Sequence, residues 1–282
     1  MKSRRRSVEG NRLAAVNKLI QNEKIKLKAV TKRYTRNGQP LTVLEGVDFE
    51  AAEGELVSII GPSGCGKSTL LNIIAGLDQP TSGEIYLDGR QTEQRLGVVG
   101  YMQQRDLLFP WRTVIDNLVL GLELQGVSKK AARQRAMNLT EQFGLSGFEQ
   151  EYPYTLSGGM KQRAAFLRTV LADQEVFLLD EPFGALDALT RTQIQEWLLS
   201  MWETVKKTIV LVTHDVDEAI FLSDRVYVMT ARPGSMRQVM RIELPRPRKL
   251  EMVTWPEFVR IKAELLSSIR EGGGLREEGA VA

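Results

Sequence analysis

The spacing of apolar positions changes along the chain, and each spacing predicts a different element. From Lys24 to Glu55 apolar and polar residues alternate, as in IKLKAV and LTVLEGVDFE, with the turn-like RNGQP between them. This alternation predicts antiparallel strands. Three short runs are continuously apolar: LVSII at 56–60, VFLL at 176–179 and TIVLV at 208–212. Runs of this length predict strands that are buried on both faces of a sheet.

Between the first and second of these buried strands the pattern becomes helical. Leu107 to Ala172 holds long charged stretches such as SKKAARQRAMNLTEQFG, for which Ser128 is a plausible N-terminal cap. A further helical stretch, ALTRTQIQEWLLSMWETV, separates the later strands, and alternation of strand and helix is typical of a parallel sheet. The predicted fold class is α/β: a mostly parallel core sheet, an N-terminal antiparallel β subdomain and an α-helical subdomain inserted at about 105–172.

The two ends of the chain differ from its centre. Residues 1–23 are basic and include the run RRR, and we expect a solvated extension that is frayed or partly helical. Residues 24–250 are predicted to form the main domain. In 251–282, the amphipathic stretch FVRIKAELLSSIRE is followed by GGGLREEGAVA, which predicts a helical extension with a disordered end.

Composition and charge exclude several classes of protein. The 282 residues are 43% apolar and 26% charged, as in a soluble globular protein of one elaborated domain or two small ones. The apolar runs are far shorter than the roughly 20 residues of a membrane-spanning helix. Polar residues follow the N-terminal arginines where a signal peptide would be apolar. A single cysteine excludes an internal disulfide, and a net charge of +3 is too small to indicate nucleic acid binding. We therefore expect a protein of the cytosol that binds no nucleic acid.

A glycine-rich loop with the pattern GxxxxGKS lies directly after the first buried strand and opens a helix. Glycines let backbone amides turn towards phosphate oxygens, and the start of a helix adds positive potential. Lys67 would reach the terminal phosphates of a nucleotide, and Ser68 would offer its hydroxyl to Mg²⁺. The pattern predicts a P-loop NTPase with a RecA-like core. The residues of the loop that we predict to bind the nucleotide are Gly61, Pro62, Ser63, Gly64, Cys65, Gly66, Lys67, Ser68 and Thr69.

Two later strands end in side chains that can act on a phosphate. VFLLDE places Asp180 and Glu181 at the carboxyl edge of the sheet, beside the loop. Asp180 can hold Mg²⁺, which leaves Glu181 to orient or deprotonate the water that attacks the terminal phosphate. His214, the one histidine of the chain, follows TIVLV and should emerge at the same edge, where it can hydrogen-bond the phosphate or the water. A lone histidine can also be structural, and an acidic strand end can be accidental.

Taken together, these motifs resemble those of the nucleotide-binding subunit of ABC transporters. GPSGCGKST, LSGGMKQR at 156–163, VFLLDEP, GALD at 184–187 and TH at 213–214 have the order and spacing of that family, over about 24–250. In the family two subunits pack head to tail, and the LSGGM loop of one covers the ATP held by the other. The resemblance therefore implies an ATPase that uses ATP and Mg²⁺ and forms an ATP-dependent homodimer.

The resemblance also implies roles for residues that the motifs alone do not assign. Tyr34 matches the aromatic residue that stacks on adenine, with Val43 nearby. The family's glutamine that contacts Mg²⁺ and the attacking water is Gln103 or Gln104, and the distance to the following FPW favours Gln104. The residues implied at the dimer seam are Ser157, Gly158, Gly159 and Asp187.

Two further segments, LLFPWRTVIDN and ARPGSMRQVMRIELPRPR, resemble importer ATPases for nitrate, sulfonates, taurine and thiamine-type pyrimidine precursors. This implies an importer subunit at the cytoplasmic face of the cell membrane. Its partners would be integral membrane permease subunits and, indirectly, a solute-binding protein. Two other classes are alternatives: a soluble ABC-type ATPase that acts on DNA or ribosomes, and a P-loop kinase or GTPase. The first typically carries long coiled-coil insertions or tandem cassettes, which this sequence lacks.

Overall fold

The computed structural model describes residues 23–272. The predicted basic extension, 1–23, lies outside the described residues except for Glu23, which begins the first strand, and the predicted disordered end, 272–282, lies outside them except for Gly272, which ends the last helix. The strands are β1 Glu23–Arg36, β2 Gln39–Ala52, β3 Leu56–Ile60, β4 Ser82–Leu87, β5 Arg90–Gln91, β6 Gly100–Met102, β7 Val176–Asp180, β8 Thr208–Val212, β9 Arg225–Met229 and β10 Met236–Arg241. The α-helices are α1 Lys67–Ala75, α2 Val114–Leu118, α3 Leu120–Leu124, α4 Lys129–Thr140, α5 Gly158–Leu171, α6 Ala188–Val205, α7 Val216–Leu222 and α8 Pro256–Gly272.

The centre of the fold is a six-stranded sheet in the order β10-β9-β3-β8-β7-β6. Its strands run parallel except for β10, which pairs antiparallel with β9 at one edge. Every residue of β3, β7 and β8 is buried, which explains why these strands are continuous apolar runs in the sequence. Because the strands are parallel, the segments that follow β3, β7 and β8 leave the sheet at the same edge.

A second, antiparallel sheet has the order β2-β1-β4-β5 and covers one face of the central sheet. The core between the two sheets contains Leu27 and Phe49 from the small sheet and Val57 from the large one. Alternate residues of the central strands, such as Phe177 and Ile209, point to the opposite face and pack against the helices. Apolar residues therefore cover both faces of the parallel strands.

Helices α2 to α5 lie between β6 and β7. The side chains of Thr113, Ser128 and Ser157 cap the starts of α2, α4 and α5, and each accepts a hydrogen bond from the backbone N–H three residues on. The apolar faces of these helices join the core on the helical face of the central sheet. The predicted fold class is confirmed, with its parallel core, its antiparallel β part and its inserted helices, and so is the predicted cap at Ser128.

Helix α8 packs on α7 and β9, and its Phe258 and Leu265 are fully buried in the main core. Before it, the buried Arg248 donates hydrogen bonds to the carbonyl oxygens of Ile220, Phe221 and Ser223. The Pro-Arg segment therefore satisfies carbonyl groups at the end of α7. The division into a domain at 24–250 and an extension from 251 stays a prediction. Among residues 23–272, the structure contains no helix that is both long and apolar enough to cross a membrane.

Candidate active site

The loop between β3 and α1 has the backbone that a phosphate site requires. Gly66, directly before α1, has a left-handed backbone with φ 110°, and a Cβ there would lie 2.6 Å from Leu44 Cδ2. Only glycine fits this position without displacing its neighbours. Within the described chain no side chain caps the start of α1, so the first N–H groups of this helix remain available to an anion.

Lys67 lies over the loop that it follows. Its Nζ donates to the carbonyl oxygens of Gly61, at 2.8 Å, and of Pro62, at 3.1 Å. The ammonium group is therefore held at the mouth of the loop, where a bound phosphate would compete with these two carbonyl groups. The phosphate contact expected of Lys67 from the sequence stays a prediction.

A second segment, between β9 and β10, packs against the phosphate loop and stabilises it. The sequence motifs did not predict this contact. Arg232, between β9 and β10, donates from Nη2 to the carbonyl oxygen of Gly64 at 2.9 Å. Gly234 hydrogen-bonds to the backbone of Val43, and a Cβ on Gly234 would lie 2.0 Å from the carbonyl oxygen of Cys65. The only sequence signal for this contact is ARPGS, a turn motif that lies about 170 residues after the loop.

Asp180 ends β7 and is 2% exposed. Burial raises the pKa of its carboxyl above the usual value, a hydrogen bond from Ser68 opposes this rise, and the charge of Glu181 adds to it. Carboxylate and hydroxyl oxygens are ligands that Mg²⁺ accepts, together with water and phosphate oxygens. Residues 23–272 contain no group of three or more His, Cys, Asp or Glu side chains suited to a metal. The hydroxyl of Ser68 and the carboxylate of Asp180, which are hydrogen-bonded to each other, are oxygen donors of the kind that Mg²⁺ accepts.

Glu181 has an unusual backbone and two polar neighbours. Its φ is 50°, in the left-handed region that costs a residue with a Cβ about 1 kcal/mol or more. Gln104 Nε2 donates to Glu181 Oε2 at 3.1 Å, and His214 Nδ1 lies 3.6 Å from Glu181 Oε1. The three side chains border one cleft of about 590 Å³, together with Gly158. The structure thus brings together the three residues that we predicted to act on the attacking water.

Two residues of α5 hold this cleft in place, although the sequence motifs gave them no role. Gln162 Nε2 donates to the carbonyl oxygen of Glu181 at 2.8 Å, and Gln162 Oε1 accepts from the N–H of Ala185 at 2.6 Å. Arg168 donates to the carbonyl oxygens of Asp106 and Leu107, just after Gln104. A signal existed for Gln162, because it belongs to the LSGGMKQR motif.

Ser157, Gly158 and Gly159 lie at the exposed start of α5. Ser157 Oγ accepts from the N–H of Met160 at 3.3 Å, and a Cβ on Gly158 would have no atom within 4 Å. The start of α5 therefore lies at the surface of the chain, with open space beside the Gly158 backbone.

Three predicted residues, Tyr34, Val43 and Asp187, lie outside the loop and the Glu181 cleft. Val43 contacts Gly66, since a Cβ on that glycine would lie 3.2 Å from Val43 Cγ1. Tyr34 is partly exposed and donates to Asp78 Oδ2 at 2.5 Å, and burial together with this carboxylate raises the pKa of Tyr34 to about 12. Asp187 caps α6 by accepting from the N–H of Thr190 at 3.0 Å. The hydrogen bonds from Thr190 lower the pKa of Asp187.

The Cys65 thiol faces the interior of the protein and packs in the core beside Met229. Burial raises its pKa, and the charge of Lys67 opposes this rise only in part. The thiolate is the form that reacts, so less of it exists at neutral pH than for a free cysteine. We expect iodoacetamide to alkylate Cys65 at least about tenfold more slowly in the folded than in the denatured protein, with a rate that rises with pH. Equal rates, measured by mass spectrometry, would contradict this burial.

A glycine-rich phosphate loop, a buried acidic strand end and a convergent Glu, Gln and His define an α/β P-loop ATPase. Comparison with known proteins gives the family. Residues 44–184 match the protein-family model described as ABC transporter, and the chain belongs to this family. It is therefore an ABC ATPase subunit, and the expected ATPase activity follows from this membership.

The relatives cover most of the chain. An uncharacterised ABC transporter ATP-binding protein of Methanocaldococcus jannaschii is 45% identical over 252 residues, which are 88% of this chain and 94% of the relative. The aliphatic sulfonates import ATP-binding protein of Bacillus subtilis is 43% identical over 240 residues, 85% of this chain and 92% of the relative. A dimeric structure of a bacterial ABC transporter cassette matches with a TM-score of 0.73 and 35% identity, over 78% of this chain and 100% of that one. A dimeric post-hydrolysis cassette bound to ADP and Pi matches equally well, with 34% identity.

Proposed function

We propose that this chain powers an importer of a small solute by ATP-driven closure of a head-to-tail homodimer. The observation that carries the proposal is the Glu181 carboxylate, held in a left-handed backbone with Gln104 and His214 directed at it. Strain at a carboxylate that is surrounded by polar groups indicates a catalytic position. A kinase or GTPase would also need a phosphate loop, but it would not need an exposed Ser-Gly-Gly helix start.

The chemistry assigns one task to each group. Lys67 and the N–H groups at the start of α1 bind the phosphates of ATP. Ser68 and Asp180 would hold Mg²⁺, which neutralises charge on the phosphate oxygens. Glu181 orients the attacking water and accepts its proton, while Gln104 and His214 hold the water and the terminal phosphate in line. Adenine would stack on Tyr34, with Val43 at its edge.

The start of α5 would complete the site of a second copy. The Ser157 hydroxyl and the N–H groups of Gly158 and Gly159 are donors at a helix start, and they would bind the terminal phosphate held by the partner. Asp187, at the start of α6, would lie at the same seam. Contacts to the terminal phosphate favour the closed dimer, and their loss on hydrolysis would release it. The dimeric cassette structures that resemble this chain support the arrangement.

An exposed aromatic surface on the helical part would bind the membrane permease subunits. Trp111 is 72% exposed and stacks on Phe109, and Tyr152 stacks on Tyr154. The two segments lie side by side, because the N–H of Val114 donates to the carbonyl oxygen of Glu151 at 2.7 Å. Leu107 is also exposed and lies in the loop that Arg168 holds next to Gln104. Movement of this loop would link the permease to the nucleotide at the cytoplasmic face of the membrane. Large exposed apolar side chains that cluster are typical of a protein interface.

The solute class is nitrate, a sulfonate, taurine or a pyrimidine precursor, delivered by a solute-binding protein. Relatives named as aliphatic sulfonates import proteins favour the sulfonate. The solute class is tested by measuring uptake of each labelled solute in two kinds of cell, one whose only copy of this subunit is wild type and one whose only copy carries Glu181→Gln. Uptake of one of these solutes that is lost in the variant supports an importer. Uptake of all four solutes at the wild-type rate in cells with the variant would contradict the importer. Stimulation of the ATPase activity by DNA or ribosomes would favour the alternative, a soluble ABC-type ATPase.

The shared site predicts that specific ATPase activity rises with protein concentration. Ser157→Arg places a bulky cation where the helix start meets the partner, and we expect this variant to lose most activity, about tenfold or more, while it still binds ATP. Ser128→Arg is the matched control, because Ser128 also caps an exposed helix in the same part of the fold. A steady-state phosphate-release assay measures the activity. A specific activity that does not change with protein concentration, and that Ser157→Arg does not lower, would contradict a shared site in a dimer.

A further inference from the structure

The His214 ring lies beside Glu181 but is not fixed there by a hydrogen bond to the Glu181 carboxylate. Its side chain is 66% exposed, and its Nδ1 is 3.6 Å from Glu181 Oε1, beyond a normal hydrogen bond. The position of the imidazole therefore depends on the backbone that carries it. That backbone is the short connection between β8 and α7, made of Thr213, His214 and Asp215.

Both neighbours of His214 are tied to Glu218, Thr213 through the Glu218 carboxylate and Asp215 through the Glu218 backbone N–H. Thr213 Oγ1 donates to Glu218 Oε2 at 2.6 Å, and the N–H of Asp215 donates to Thr213 Oγ1 at 3.0 Å. The N–H of Glu218 in turn donates to Asp215 Oδ1 at 3.2 Å. This ring of hydrogen bonds fixes the connection on both sides of the histidine, and the Glu218 carboxylate closes it at Thr213.

The same carboxylate is bonded to helix α6, which begins at the predicted dimer seam. Gln195 Nε2 donates to Glu218 Oε1 at 3.1 Å. Arg191 lies between the two elements: its Nε is 3.7 Å from Glu218 Oε1, and its Nη1 is 3.9 Å from Asp215 Oδ2. Arg191 Nη2 also donates to the carbonyl oxygen of Leu186 at 3.2 Å, one residue before the cap of α6. A contact at the start of α6 is thus connected to His214 through this network.

Burying a carboxylate at position 218 costs free energy, because the charged group loses its hydration. Glu218 is 8% exposed, and burial together with the charge of Asp215 raises its pKa, while the Thr213 hydroxyl and the charge of Arg191 oppose the rise. An apolar side chain would pack in the same space without the cost of desolvating a charge. Glu218 also does not serve as the return partner of a capping box, because the N–H of Asp215 is bonded to Thr213 instead. A role in orientation explains the carboxylate where packing and capping do not.

We propose that Glu218 is a positioning residue for His214, and that with Gln195 and Arg191 it couples the start of α6 to the histidine. Closure of the dimer at Asp187 would then set the imidazole against the terminal phosphate. The inference rests on the proposed ATPase mechanism for its catalytic consequence. The local statement, that Glu218 fixes the environment of His214, can be tested without nucleotide.

The test uses the fact that the sequence has one histidine. In untagged protein the Cδ2–H and Cε1–H groups of His214 give one correlation each in a two-dimensional carbon–proton NMR spectrum, and no other histidine contributes. We expect Glu218→Gln to move or broaden these resonances and to lower kcat by about 10- to 100-fold, with the KM for ATP changed by less than about twofold. Glu196→Gln, an exposed carboxylate on the same α6, is the matched control and should change neither.

A second pair of variants keeps the test decisive if Glu218→Gln does not fold. Thr213→Val removes the hydroxyl at constant volume and should reproduce the change in the His214 resonance, whereas Thr213→Ser keeps the donor and should preserve the resonance. A His214 resonance that is unaltered in both Glu218→Gln and Thr213→Val would overturn the proposal, whatever happens to activity. Absence of ATP hydrolysis by the wild-type protein would instead count against the proposed function and leave the resonance result standing.

Discussion

Glu181→Gln is expected to bind ATP, to accumulate as a dimer and to hydrolyse about 100- to 10,000-fold more slowly than the wild type. The amide keeps the size of the side chain and an oxygen that can accept the hydrogen bond from Gln104. It cannot accept a proton from water, so the closed dimer forms and does not reopen by hydrolysis. Light scattering after size separation, with and without ATP and Mg²⁺, measures the mass directly.

The control for this experiment is the double variant Glu181→Gln with Ser157→Arg. An ATP-dependent dimer that the second substitution abolishes supports the shared site and leaves the solute as the remaining question. A variant that turns over at the wild-type rate would remove Glu181 from the mechanism. A monomer under both conditions, from a variant that binds ATP, would mean that closure of the isolated subunit does not occur.

Lys67→Ala is expected to weaken ATP binding itself by about 10- to 100-fold, because a charged hydrogen-bond donor to phosphate is lost. Hydrolysis and dimer formation should fall with binding. Isothermal titration calorimetry measures the affinity, and a thermal melt shows whether the loop still folds without the bonds to Gly61 and Pro62. Lys130→Ala, which removes an exposed lysine of α4, is the control. Wild-type affinity in Lys67→Ala would mean that this loop does not hold the phosphates.

Much of the site could be predicted from the sequence because its parts are local. Gly66 and Lys67 belong to one loop, and Asp180, Glu181 and His214 each follow a buried strand. Parallel strands deliver such residues to one edge of a sheet, so their proximity follows from the apolar pattern and the topology. The structure places Glu181, His214 and Gln104 around one cleft, as these patterns and the family resemblance indicated.

The supporting contacts could not be predicted in the same way, because they join segments that are distant in the chain. Arg232 reaches Gly64, and Arg168 reaches the loop after Gln104, only because the fold brings these segments together. Arg248 reads as part of a Pro-Arg cluster, and its role at the end of α7 depends on burial that no local pattern reveals. Glu218 looks like an ordinary acidic residue in the first turn of a helix.

The left-handed backbone of Glu181 has a consequence for engineering. Glycine and asparagine adopt this backbone more readily than glutamate, so either residue would relieve local strain. A selection for heat resistance alone would therefore tend to recover Gly or Asn at this position, and from the proposed role of Glu181 we expect such clones to hydrolyse ATP far more slowly than the wild type. Variants selected for thermal stability should therefore also be screened for ATP turnover, because a substitution that relieves strain at position 181 removes the proposed catalytic carboxylate.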